Sequence, residues 1–433
     1  MRDEESLSRL NVTDFSVVPP KADSFRMTKS RIANSEIMQI KREKQDTMIL
    51  NMGPQHPATH GVLRVVLELD GETVVRATPD IGYLHTGIEK TAEYKTYSQA
   101  ITLFDRTDYV ANLSNNLGYV LAVEKLLDIE APPKAQYLRV LLTELTRIAS
   151  HLVWVGSHAA DIGALSMLLY AFREREMLMD IFETVSGQRM MTSYFRIGGL
   201  ARDLPSTGEF ERRVKEFIKV FPSKVQDYEN LLTKNKLWLQ RTVGIGTITT
   251  EEAINCGLSG PILRGCGLKH DLRKSNPYSG YEKFEFDIPT GKNGDIYDRY
   301  LVRVEEMRQS LKIVKQALDG IPQGDYIAKI PGVTYPPKEI VKKEMEALIY
   351  HFKIAEEGFQ VPTGEVYHSI ESPKGELGYF IVSDGSSKPY RVRVRPPSFV
   401  NLSALNRLVT GRLIADVVAI IGSIDIVLGE IDR

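Results

Sequence analysis

The segment Gly53-Pro54-Gln55-His56-Pro57-Ala58-Thr59-His60-Gly61 sets two histidines in a short run whose glycines and prolines dictate a backbone path. Histidine titrates near neutral pH and both gives and takes a proton, so His56 and His60 are candidates for proton transfer. A loop imidazole bonded to backbone is the simpler account. Tyr109, in Phe104-Asp105-Arg106-Thr107-Asp108-Tyr109-Val110, is expected at the start of a helix. A phenol stays protonated at neutral pH and can donate to a carbonyl oxygen, although a packed ring with a wet hydroxyl explains it equally well locally. His151 and His158 fall on one helix face, with Asp161 one turn further on. They lack the i, i+4 spacing of a helical metal motif, so a hydrogen-bonded helix interface is the expected role. Arg391, Arg393 and Arg395 alternate along a strand and share one side. That side is either solvated or subunit-contacting, or it faces an anion or redox centre.

These residues need elements to hold them. Thr47–Met52 reads as a short strand, and Val62–Pro79 as a hairpin turning at Asp70-Gly71, with Leu63, Val65, Leu67 and Leu69 on one face. The histidine loop therefore leaves a sheet edge. The middle of the chain has apolar residues at three- and four-residue spacing, which predicts helices over Lys90–Ile101, Tyr109–Leu127 and Ala135 to about Met179. The last of these should break near Gly156 or Gly163. Further helices are expected from about 206 to 235, over Gly294–Leu318, over Pro337–Phe352 and from about 403 to 421. The section from 241 to 294 is rich in loops, and a second hairpin is expected near 376–396, around Asp384-Gly385. The expected class is mostly α with small β modules, an α+β chain. Three regions are expected: an extended arm over 1–46, a β-hairpin module with the histidine loop over 47–80, and a helical domain over 81–433.

Composition removes several functions. Among 433 residues, 55 basic side chains balance 56 acidic ones, which leaves no electrostatic footprint for nucleic acid. Two cysteines, Cys256 and Cys266, are too few for an iron–sulfur cluster or a thiolate nickel site. The apolar stretch Leu413–Leu428 is interrupted by Asp416 and Asp425, so no transmembrane segment is expected, and the acidic start does not suit a signal peptide. No nucleotide-binding glycine motif and no nucleophile elbow occurs.

Seven long segments, in order, resemble the family of D-type, quinone-site subunits of bacterial respiratory complex I. They are NMGPQHPATHGVLR, GYLHTGIEKTAEYKTY, HLVWVGSHAADIGAL, GPILRGCGLKHDLRKSNPYSGY, GDIYDRYLVRVEEMRQS, ESPKGELGYFIVSDGSSKPYRVRVRPPSF and DVVAIIGSIDIVLGEIDR. The resemblance runs from about residue 47 to the last residue. The family has a mitochondrial counterpart and is related to the large subunits of nickel–iron hydrogenases, so a hydrogenase-like helical core is implied.

Those hydrogenases hold their metals with two pairs of cysteines. Here the corresponding stretches read Arg106-Thr107-Asp108-Tyr109-Val110-Ala111 and Asp425-Ile426-Val427-Leu428-Gly429-Glu430, without a thiol. The resemblance implies a vacated metal pocket reused for quinone, ubiquinone or menaquinone, as substrate. Its headgroup histidine and tyrosine fall on His60 and Tyr109, and the acidic partner of that histidine on Asp161.

It further implies that NADH is oxidised elsewhere and that no iron–sulfur cluster or nickel is held by this chain. The implied neighbours are a small subunit with the terminal four-iron cluster, the adjacent C-type subunit of the peripheral arm, and the membrane subunit at the arm junction. The implied location is the cytoplasmic side of the bacterial plasma membrane. A complex fed by ferredoxin or another carrier, and a scaffold without quinone, are the competing readings. Two positions depart from many relatives, Thr86 where they have arginine and Met191 where they have histidine. Both remove positive charge or a proton site near the partner's cluster.

Overall fold

The computed structural model describes residues 47–433. The expected arm over 1–46 lies outside the described residues.

Strands β1 (Met48–Met52), β2 (Arg64–Asp70) and β3 (Thr73–Asp80) form an antiparallel sheet in that order. Asp70 pairs with Thr73 across the expected turn, where Gly71 takes a positive φ of 59°. Leu63, Val65, Leu67 and Leu69 are all buried, and full burial of such a side chain contributes roughly 1.5–3 kcal/mol. They share a core with Ile248, Ile262, Leu405 and the C-terminal apolar residues Val417–Ile431.

Around this lies the helical body. Its helices are α1 (Tyr97–Phe104), α2 (Asn112–Leu127), α3 (Pro133–Asp161), α4 (Leu165–Ser186), α5 (Glu209–Leu232) and α6 (Ile296–Asp319). Helix α3 is the axis, buried on every side from Leu138 to Leu152. The chain breaks at Gly163, with φ 107°, and not at Gly156. At Gly156 a Cβ would stand 3.2 Å from the Leu168 Cα, so this glycine lets α4 lie close against α3.

A second antiparallel sheet, β4 (Gly364–Ser372), β5 (Gly375–Ser383) and β6 (Arg391–Arg395), closes the far side. The expected hairpin is therefore the outer half of a three-stranded sheet, because Gly364–Ser372 pairs along its whole length with β5.

Three expected helices are subdivided, the first being Lys90–Ile101, which divides into Ile88–Ala92 and α1. Pro337–Phe352 divides into Lys338–Val341 and Met345–Glu356. The helix expected from 403 to 421 is replaced by Pro397–Ser403, Leu405–Val409 and the helix α7 (Ile414–Ile424). Gly411 at φ 78° makes the turn between the last two, where its N–H bonds to Val74 of β3. None of the helices described is long and apolar enough to cross a membrane.

Charge is buried inside the body as well. Although burial alone would raise its pKa, Glu144 on α3 is drawn down to about 2 by Arg147 and Arg273, and it accepts from Tyr281 and Ser310. Glu306 of α6 bonds to Arg264 and, at 2.9 Å, to His151 Nε2. Pairing makes such burial tolerable; removing one partner would leave a bare charge in the core.

Candidate functional site

The histidine loop is built by its own side chains. His56 caps the short turn Pro57–Thr59, its Nδ1 accepting from the Ala58 N–H at 3.2 Å. In the neutral ring the proton therefore sits on Nε2. The Thr59 hydroxyl lies 3.1 Å from the Pro54 carbonyl oxygen and 3.0 Å from that of His56, tying the loop to itself. Gly53, at φ 85°, lets the loop's start press on its end, since a Cβ there would collide with the Leu63 carbonyl. His60 takes a left-handed φ of 55° and ends the turn with an exposed side chain that has no hydrogen-bond partner among the described residues.

Tyr109 is not at the start of a helix. It lies in the irregular connector 105–111 between α1 and α2, half-exposed, with no partner for its hydroxyl among the described residues. Helix α2 begins only at Asn112 because the Asp108 carboxylate takes the Val110 and Ala111 N–H groups at 3.1 and 3.2 Å, making a turn first.

Behind both residues lies a buried ammonium. Lys374, in the turn between β4 and β5, sends its Nζ to Asp108 Oδ2 at 2.9 Å and to the Ser150 hydroxyl of α3 at 3.1 Å. Although burial opposes its charge, Asp108, Asp425 and Glu430 hold its pKa above the ordinary lysine value. Burial pushes Asp425 up to about 6, against the pull of Lys374 and Arg303, and it raises Glu430 too, with Asp108 adding to the rise.

The field of Lys374 reaches both candidate donors. His60 is held below its usual 6.5 by loss of solvent and then by Lys374. Tyr109 is pushed up by burial and by Asp108, while Lys374 draws it back down. At neutral pH His60 is thus largely a neutral imidazole, without the positive charge that a pairing with Asp161 would stabilise.

That pairing is not formed. No hydrogen bond or ion pair joins His60 to Asp161 among the described residues; Asp161 ends α3, its pKa raised by burial and lowered in turn by His56. Of the two loop histidines, His56 is the one that acts on Asp161 electrostatically.

The other candidates are structural. His151 is buried against Glu306, and His158 stacks on Trp154 with Trp238 edge-on, so both pack α3 into the core. Arg391 and Arg393 pair with Glu93 and Glu89 at the surface, and Arg395 with Glu376.

The two stretches that correspond to the hydrogenase cysteines do converge. At Gly429 a Cβ would stand 2.7 Å from the Thr107 carbonyl oxygen and 3.4 Å from the Tyr109 ring. Three carboxylates, Asp108, Asp425 and Glu430, surround Lys374 there. An ammonium at the centre of that space repels a metal cation, and the donor set does not fit nickel. Among the described residues no group of histidine, cysteine and carboxylate side chains is arranged to hold a metal ion. Charged residues inside the apolar C-terminal stretch were the available signal for this cluster. Nothing in the sequence pointed to Lys374.

Residues 161–433 match the family model described as respiratory-chain NADH dehydrogenase, 49 Kd subunit. The chain belongs to this family. His60 and Tyr109 precede the matched span, but whole-chain relatives cover them. The chain is 59% identical over 411 residues to the first D-type subunit of NADH-quinone oxidoreductase from Solibacter usitatus (strain Ellin6076), covering 94% of this chain and 100% of that one. It is 60% identical over 388 residues to the D-type subunit from Geotalea uraniireducens (strain Rf4), covering 90% and 99%. Identity is also 60% over 393 residues to the second D-type subunit from Chloroflexus aurantiacus (strain ATCC 29366 / DSM 635 / J-10-fl), covering 90% and 95%. The 49 kDa family assignment and the mixed helical class therefore both agree with the sequence.

Proposed function

We propose that this chain forms the quinone headgroup site of a proton-pumping NADH:quinone oxidoreductase, completed by a small partner subunit that carries the terminal four-iron cluster. The observation that carries the reading is the placement of His60 and Tyr109 in the field of one buried cation, Lys374, with both side chains free of hydrogen-bond partners among the described residues.

Quinone takes up two electrons, supplied through the partner's cluster, and two protons, and charge develops on its carbonyl oxygens. Tyr109 donates to one oxygen from its phenol and His60 to the other from its imidazole, in a site dried by the partner. Lys374 keeps the His60 ring neutral, so that it offers a hydrogen bond from N–H, and partly offsets the rise that burial and Asp108 impose on Tyr109. Because both are exposed on this chain alone, a neighbour has to cover them. The adjacent C-type arm subunit and the membrane subunit at the junction are the other neighbours in this reading. The chain then sits peripherally on the cytoplasmic face of the membrane.

Tyr109→Phe removes one hydroxyl and keeps the ring. Quinone-dependent NADH oxidation in membranes should fall at least about tenfold, while reduction of an artificial acceptor upstream of quinone stays intact. Unchanged quinone turnover would sink the reading.

Proton uptake by quinone at the histidine loop changes the field at Asp161, which faces that loop, and this is the proposed first step of coupling to pumping. Asp161→Asn should keep quinone reduction and lose proton translocation, measured by acidification in sealed vesicles. Normal pumping would remove Asp161 from the coupling.

A further inference from the structure

Since the Tyr109 hydroxyl has no partner among the described residues, no hydrogen bond of its own fixes it, and its position follows from the connector 105–111 and the packing of its ring. That connector is anchored to a second segment, the loop 187–194 between α4 and Phe195. Asp105 Oδ2 accepts from the Ser193 N–H at 2.7 Å and from the Ser193 hydroxyl at 2.6 Å. At the other end, Asn112 Nδ2 donates to the Thr192 hydroxyl at 3.3 Å, and Asn116 Oδ1 accepts from the Phe195 N–H at 2.8 Å. Both ends of the connector that carries Tyr109 are thus tied to one loop.

That loop does not hold its path by preference. Met191 and Ser193 take positive φ values of 53° and 41°, conformations that cost a non-glycine residue roughly 1–2 kcal/mol each. Strain of this kind persists only where other contacts impose it. Asp105 supplies the strongest of them, since bonds to a carboxylate exceed those between neutral groups. Burial pushes its pKa up to about 6, against the two Ser193 bonds and the charges of Arg196 and Arg106, so at neutral pH it is largely ionised and able to accept both bonds.

We propose that Asp105 is a positioning residue for quinone reduction: by gripping Ser193 it fixes the connector against the strained loop, and so fixes where the Tyr109 phenol points. This rests on the reading of Tyr109 as a headgroup donor. A displaced donor still lets quinone bind but stabilises the developing charge less well, so the loss falls on kcat and not on KM.

In the assembled complex, with a short-chain quinone, Asp105→Asn and Ser193→Ala should each lower kcat about tenfold. The quinone KM should stay within about twofold and the upstream acceptor activity should be unchanged. The double variant should fall no further than Asp105→Asn alone, because the hydroxyl bond lost in Ser193→Ala is one of those that depend on the Asp105 carboxylate. Should Asp105→Asn fail to assemble, Ser193→Ala carries the test, as it leaves the carboxylate in place. Unchanged kcat in Ser193→Ala would overturn the proposal, and so would a parallel loss of its upstream activity, which would mean that the contact serves assembly. Loss of turnover in Tyr109→Phe beside full activity in Ser193→Ala would remove the clamp alone. Retained turnover in Tyr109→Phe would remove the headgroup reading itself.

Discussion

At the residue scale the site depends on which groups carry charge at neutral pH. His60 lies below its ordinary pKa because burial and Lys374 both disfavour the imidazolium. It therefore titrates below pH 6.5, and above that pH its neutral ring donates a hydrogen bond. The pH profile of quinone turnover should show a transition below pH 6.5 that His60→Gln abolishes, with the upstream reaction unaffected. A transition that survives the substitution would assign it to another group. Asp425 is the contrasting case, a carboxylate pushed up to about 6 by burial even beside Lys374. Here desolvation outweighs attraction, as it does for charges deep in a protein.

At the element scale, the proposed function rests on irregular segments fixed by rigid neighbours. The histidine loop hangs from β1 and β2, the connector 105–111 spans α1 and α2, and Lys374 comes from a turn between strands. Each has its backbone groups satisfied locally, by Thr59, by Asp108 and by Ser372. Gly53 is the tightest point, where a methyl group meets both a positive φ and the Leu63 carbonyl. Gly53→Ala should cost at least about 1–2 kcal/mol. The expected outcome is faster thermal inactivation of quinone reductase activity in membranes, with the upstream acceptor reaction surviving longer. Equal inactivation of the two would mean that the strain spreads beyond the loop.

At the scale of the whole molecule, paired buried charges hold long-range partners together. Arg264 joins Glu306 on α6 and Glu371 on β4, while Arg273 joins Glu144 on α3. The face that would meet a partner's cluster in the proposed complex is set differently. His85 bonds through Nδ1 to the Asp432 carbonyl, and beside it stands Thr86 where many relatives have arginine; Met191 stands where many have histidine. With a positive charge and a titrating ring both missing, the cluster potential should be lower, or less dependent on pH, than in relatives that keep them. A redox titration of the assembled complex across pH checks this, and an ordinary slope would count against it.

Much of this was legible in the sequence. Alternation fixed the hairpin and its buried face, and helical periodicity fixed the long helices, because both patterns depend only on which side of an element meets the core. Seven ordered motifs identified the family. The break at Gly163 rather than Gly156 was decided by tertiary packing, since only the closeness of α4 tells a packing glycine from a turning one. Strand β4 also went unread, because its partner supplies the pairing. The grouping of Lys374 with Asp108, Asp425 and Glu430 joins residues far apart in the chain, and burial sets their charges. The same holds for the neutral state of His60 and for the preference of Asp161 for His56. Sequence determined the residues available for chemistry; only the fold decided which of them meet and how far each is withdrawn from water.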